Sequence, residues 1–202
     1  MRYFFEEEKE IEQVAEAPDK VKALTKISTV IFAGVAFLSL MIPFGFGHPQ
    51  WLIGTIVNAI LFLAVLFLQK KYWLPLIIFP SLGVLARGLI FGPLTFFLIY
   101  FLPFIWMGNF ILMLVFEKFF VIPAKAGTQS NDTVRYLFAV LVAGLAKFAF
   151  LFLTANLYFN LKVVPKIFVA SMGLNQLETA LAGGVISFLV FKAFKNYKIK
   201  NI

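Results

Sequence analysis

The chain is predicted to be an all-α integral membrane protein, a six-transmembrane-helix bundle with both termini cytoplasmic. Three observations predict it. First, 61% of the residues are hydrophobic, only 14% are charged, and the mean hydropathy is +0.92. Soluble domains are about half apolar and about a quarter charged, so lipid must be the solvent for most of this surface. Second, six apolar segments approach the roughly 20 residues that a helix needs to cross the hydrocarbon core. Third, the cations gather at alternate ends of those segments, as the positive-inside rule requires.

In chain order, residues 1–24 form a polar cytoplasmic tail or surface helix. Its acidic run (Glu6, Glu7, Glu8, Glu10, Glu12, Glu16) is read as solvated, and it is too acidic for the n-region of a signal peptide. The transmembrane domain covers 25–194, with segments at about 25–43, 51–69, 73–91, 94–116, 135–159 and 175–194. Pro43, Gly45, Gly47 and Pro49 break the chain after the first segment, and Gln69, Lys70 and Lys71 end the second. Gly92 and Pro93 part the third from the fourth, and AKAGTQSNDT (124–133) is the one plainly polar loop. Pro165 lies between the fifth and sixth segments. Residues 166–174 are amphipathic, suited either to the interface or to an early start of the last helix. A basic cytoplasmic tail, 195–202, closes the chain. Pro80 and Pro103 lie inside the third and fourth segments, where neighbouring helices can satisfy the carbonyls they release, so both helices are expected to bend.

Orientation follows from the cations. With the amino terminus inside, the cytoplasmic side holds Arg2, Lys9, Lys20, Lys22, Lys26, Lys70, Lys71, Lys118, Lys125, Arg135, Lys192, Lys195, Lys198 and Lys200. Only Lys162, Lys166 and Arg87 lie toward the outside, and Lys147 falls in mid-helix. This bias fixes the expected sidedness.

Sidedness then serves as a depth gauge at about 1.5 Å per residue. Gln50, Trp51, Asn58, Arg87, Lys147, Asn156, Asn175, Gln176 and Glu178 all gather in the outer half, while Asn109 falls toward the inner half. A charge at the bilayer centre costs about 3 kcal/mol on insertion scales. Such groups should therefore face the bundle interior, either as bonds between helices or as the lining of an outward-facing substrate pocket. Glu178 is expected to pair with Arg87 or Lys147, leaving one cation for a ligand's own negative charge. Trp51, Phe91, Phe96 and Tyr158 are available to stack on a ring. Small residues recur on the first helix, with Thr29 and Ala33 one turn apart, and on the fifth and sixth; such faces let backbones approach closely.

Several chemistries are excluded or disfavoured. Without cysteine there is no disulfide, thiolate zinc site or iron–sulfur cluster, and a single histidine makes a protein-built metal site unexpected; no cofactor is expected. A hydrolytic enzyme would need a nucleophile with a base, or clustered carboxylates. The only intramembrane acid is Glu178 and the only histidine is His48, so the chain is expected not to be an enzyme.

Four stretches carry a family resemblance: HPQWLIGTIVNAILF (48–62), PSLGVLARGLIFGP (80–93), PFIWMGNFILMLVF (103–116) and MGLNQLETALAGGVISF (172–188). They resemble the substrate-binding S components of energy-coupling-factor (ECF) vitamin transporters, in a subgroup of unassigned substrate. The resemblance implies a multi-pass protein of the plasma membrane, in prokaryotes the cytoplasmic membrane, that captures a small vitamin-like solute from outside; that the solute is an anion is suggested only by the spare cation noted above. It implies as partners a transmembrane scaffold subunit and two ATPase subunits. Members meet the scaffold through an Ala-x-x-x-Ala face on the first helix, to which Thr29 and Ala33 correspond here as Thr-x-x-x-Ala. The chain carries no Gly-rich loop ending in Gly-Lys-Ser/Thr, so the energy must come from the partners. The alternatives are a small membrane enzyme acting on lipid or peptide, and a structural assembly protein.

Overall fold

A computed structural model of the chain describes residues 18–46, 50–91, 95–125 and 131–200. Most of the acidic tail, His48 and the centre of the polar loop lie outside the described residues, as do the side chains of Phe91 and Phe96. Seven helices are described: α1 (Pro18–Gly45), α2 (Gln50–Phe67), α3 (Trp73–Phe91), α4 (Thr95–Phe116), α5 (Asp132–Asn160), α6 (Ile167–Met172) and α7 (Leu174–Lys200). A 3-10 turn, Lys70–Tyr72, joins α2 to α3, and α4 runs on through a π-helical stretch, Glu117–Val121, into a last turn, Ile122–Lys125. The described residues form helices and the turns between them, with no strand among them. Four helical stretches are long and apolar enough to cross a membrane: Gln50–Phe67, Phe97–Val121, Asp132–Asn160 and Ile167–Phe194, with Thr29–Gly45 a shorter apolar helix. Residues 166–174 are not a continuous early start of the last helix. They form the separate short helix α6, which stops at Gly173, where a Cβ would press on the Val169 carbonyl and the Phe152 ring.

Helix α2 packs most extensively on α7, α1 on α3, and α4 on α5; further contacts join α5 to α7, α3 to α4 and α2 to α3. These pairings make a ring in the order α2, α3, α4, α5, α7, with α1 outside α3. Glycines set the closest approaches, as expected where lipid gives no hydrophobic drive and van der Waals packing must hold the helices together. A Cβ at Gly183 of α7 would lie 2.7 Å from Ala59 N and Thr55 O of α2. One at Gly83 of α3 would strike the Leu40 carbonyl of α1, and one at Gly184 would strike Val140 of α5.

The two ends of the ring differ. Toward the end where α2 finishes and α5 begins, the interior is a solid plug: Leu61, Phe62, Leu112, Met113, Phe116, Phe120 and Tyr136 are each at or near zero exposure. Its rings meet edge to face or stacked, as in Phe62–Phe116 at 4.8 Å and Phe120–Tyr136 at 4.9 Å. The one hydroxyl at its centre, on Tyr136, is paired with Ser187 Oγ at 2.6 Å. Lys70 bridges to Glu117 at 2.8 Å and Arg135 to Asp132 at 2.5 Å at this end. A second apolar cluster, around Phe101, Leu151 and Phe168, seats α6 against α4 and α5. The opposite end is hollow.

Two glycine substitutions test this packing. Gly83→Ala forces α1 away from α3 and should destabilise by about 1–3 kcal/mol, the usual range for overpacking. At Gly34 a Cβ meets nothing within 4 Å, so Gly34→Ala should leave the melting temperature unchanged or raise it. Thermal unfolding of the detergent-purified variants separates the two.

Candidate functional site

The hollow end encloses a cavity of about 230 Å³. Much of its wall is apolar, from Pro43 of α1 and Phe46 just past its end, Ile53 and Val57 of α2, Pro80 and Val84 of α3, Leu98 and Ile105 of α4, and Met172 of α6. Polar groups concentrate at its floor, where Asn58, Ser81, Asn109, Lys147 and Thr179 meet from five helices. Each lies about one helical turn from a plug residue on its own helix: Phe62, Ile77, Met113, Ala143 and Gly183 respectively.

Lys147 is the centre of this floor. Its side chain is only 2% exposed, and its Nζ donates to Asn58 Oδ1 and Asn109 Oδ1, both at 2.8 Å. Lysine has no acceptor, so each amide must turn its oxygen inward and its nitrogen away. Asn58 Nδ2 accordingly donates to the Gly54 carbonyl at 2.9 Å and to Thr179 Oγ1 at 3.2 Å. Asn109 Nδ2 donates to the Ile77 carbonyl at 3.2 Å. Its neighbour, the Leu76 carbonyl, lacks a helical donor because Pro80 has no N–H, although the helix runs on through Pro80. Thr179 Oγ1 donates back into α7, to the Asn175 carbonyl at 2.8 Å. Beside them Trp106 Nε1 donates to Ser81 Oγ at 2.6 Å, tying α4 to α3. One network therefore joins α2, α3, α4, α5 and α7.

The expected site residues fall into two groups. Gln50, Trp51, Asn58, Arg87, Lys147, Asn175 and Gln176 all line the cavity, with Trp51 60% exposed at its mouth. Asn156 and Glu178 do not. Asn156 turns back on its own helix, donating to the Phe152 carbonyl at 2.7 Å. Glu178 is exposed on the outer face of α7, adjacent in sequence to Thr179, whose side chain turns inward. The expected pairing of Glu178 with Arg87 or Lys147 is not formed. Lys147 is held by two neutral amides, and Arg87 Nη1 donates to the Phe44 and Gly45 carbonyls, each at 3.0 Å. These are the last carbonyls of α1, which have no partner in their own helix and accept readily from a cation. Lys147 is thus neither a snorkelling side chain nor the partner of a carboxylate. Tyr158 packs on Phe101 and Phe104, away from the cavity. On α1, Thr29 and Ala33 are both exposed one turn apart.

Asn109, Ser81 and Thr179 are the residues that sequence reasoning set aside. The depth gauge placed Asn109 too far in, because it counted from the chain's apolar boundary and ignored how far α4 continues past Phe116. The usable signal was chemical: an asparagine in the middle of PFIWMGNFILMLVF needs a buried partner wherever it lies.

Asn109→Leu takes one acceptor from a buried ammonium and should destabilise by about 1–3 kcal/mol. Lys147→Met with Asn109→Leu should recover part of that loss, because the two positions share one interaction. Glu178→Gln, on the outer face, should leave the melting temperature nearly unchanged. Comparison of the chain with protein-family models, with curated proteins and with solved structures finds no match.

Proposed function

We propose that the chain is the solute-binding membrane subunit of an ECF-type uptake transporter. It spans the membrane six times with both termini in the cytoplasm, takes a small vitamin-like solute into its cavity from outside, and delivers it with a scaffold subunit and two ATPases. The observation that carries this reading is the cavity itself. A bundle with this much apolar surface leaves one end hollow and sets a polar, charged floor at its base. Polar groups that served only to hold helices together would be packed over, not left lining a space.

The charge distribution supports the sidedness. The plug end of the bundle carries Lys70, Lys71, Lys118, Arg135 and Lys192, whereas the cavity end carries Arg87, Lys162 and Lys166. By the positive-inside rule the plug faces the cytoplasm and the cavity opens outward. A floor of lysine and amides with no carboxylate or histidine beside it among the described residues favours binding over bond cleavage. Thr29 and Ala33, exposed on α1, are the face offered to the scaffold.

Three measurements test the proposal. In intact cells an impermeant thiol reagent should label Lys166→Cys and leave Gln69→Cys unlabelled, a clean readout because the chain has no native cysteine. Affinity purification from the native membrane should recover ATPase subunits and a second membrane protein, and Ala33→Trp should release them. A protein that purifies alone, with Gln69→Cys labelled from outside, is not this subunit. A thermal-shift screen against vitamins and their precursors completes the test, since a solute at 100 times its dissociation constant adds roughly 2.7 kcal/mol of stability.

A further inference from the structure

The floor of the cavity has an unfilled place. Lys147 has three N–H donors, and Asn58 and Asn109 take two of them. Both N–H groups of the Asn58 amide are taken, by Gly54 and Thr179, but the Asn109 amide has one acceptor among the described residues for its two. The floor therefore retains one ammonium N–H and one amide N–H without a protein acceptor among the described residues. Among the described residues no carboxylate lies within ion-pair distance of Lys147, so its ammonium has no counter-charge there. The guanidinium of Arg87, nearer the mouth, is already engaged by the end of α1.

We infer that the solute is a small monocarboxylate, bound with its carboxylate on Lys147 and the spare N–H of Asn109. The inference rests on the solute-binding reading and names the chemical class that the site selects. One charge and two donors match the one charge and two oxygens of a carboxylate. A phosphate group, with three oxygens and nearly two charges, would find too few donors there. A neutral ligand would leave the ammonium without a counter-charge in a low-dielectric interior, which is the costly arrangement. Next to the floor the wall is Ile53, Val57, Val84, Leu98, Ile105 and Met172, with Gln50, Arg87, Asn175 and Gln176 at the helix ends beyond, so the part of the acid beside its carboxylate is apolar and polar groups are accommodated farther out. At about 230 Å³ the cavity is smaller than the roughly 300–1,000 Å³ of pockets for drug-sized ligands. The acid is accordingly short and water-soluble and not a lipid chain.

The test is a thermal-shift panel on the full chain in detergent at constant chloride. Its probes are hexanoate, octanoate, benzoate, phenylacetate and nicotinate, each beside its own carboxamide, with palmitate, inorganic phosphate and added chloride as further arms. The expected result is that at least one short acid raises the melting temperature while its carboxamide does not. Lys147→Met should abolish that difference, with binding of the acid roughly ten- to hundred-fold weaker, the effect of losing a charged hydrogen-bond partner. Asn58→Asp gives a second variant, which keeps the lysine and puts an internal carboxylate against it; it should fold and should also lose the response to the acid. The inference is overturned if acids and carboxamides act alike, if the difference survives in both variants, if no short acid acts, or if palmitate, phosphate or chloride alone gives the shift. Partner recovery keeps the two levels apart. Stabilisation by neutral solutes with the ATPases still co-purifying overturns the carboxylate and leaves the transporter subunit standing. Stabilisation by acids without partners supports the carboxylate and removes the transporter assignment.

Discussion

The architecture depends on how the bundle keeps one positive charge dry. Lys147 sits on α5 in the middle of an apolar interior, where an isolated charge costs about 3 kcal/mol or more. Two amide oxygens at 2.8 Å offset that cost, since a hydrogen bond to a charged group contributes about 1.5–3 kcal/mol. Holding both amides in place fixes the rest. Asn58 must face α7 and bond Thr179, and Asn109 must reach α3 near Pro80. The lysine thus draws α2, α3, α4 and α7 around α5 at a single level of the bundle.

That level divides the interior. Below it, aromatic rings fill the ring of helices completely, and Tyr136 with Ser187 is the one polar pair among them. Above it the helices enclose space, held open by the α1 end that Arg87 clamps and by the short helix α6. A charge with neutral acceptors only is stable enough to fold around, and it still lacks a counter-charge. In the proposed binding role, its place at the boundary between plug and cavity would turn an electrostatic cost of folding into selectivity for what enters. The glycine contacts of α7 with α2 and α5 serve the same end, because they keep Thr179 within reach of Asn58.

Much of this was legible in the sequence. Apolar runs ended by Gln69-Lys70-Lys71 or by Pro165 matched α2, α3 and α5 to within a few residues, because lipid forces every backbone polar group into a helix, whereas α1, α4 and α7 extend six to nine residues beyond their apolar runs into polar sequence that hydropathy does not mark. The hollow end was legible for a related reason: Gln50, Asn58, Arg87, Lys147, Asn175 and Gln176 are too costly to face lipid, so they had to converge. Pairing was not legible. Depth along a helix says nothing of rotation about it, and at 100° per residue Glu178 points away from the cavity while its neighbour Thr179 points inward. Sequence also favours opposite charges as partners. It gives no hint that two neutral asparagines 51 residues apart would hold the lysine, or that helix-end carbonyls would take the arginine.

The most direct measurement is native mass spectrometry of the protein released gently from its own membrane. Wild type and Glu178→Gln should each retain the same small-molecule mass, identified by fragmentation as a carboxylic acid, and Lys147→Met should retain none. An identical adduct on Lys147→Met would contradict the central claim that the lysine at the cavity floor is what holds the solute.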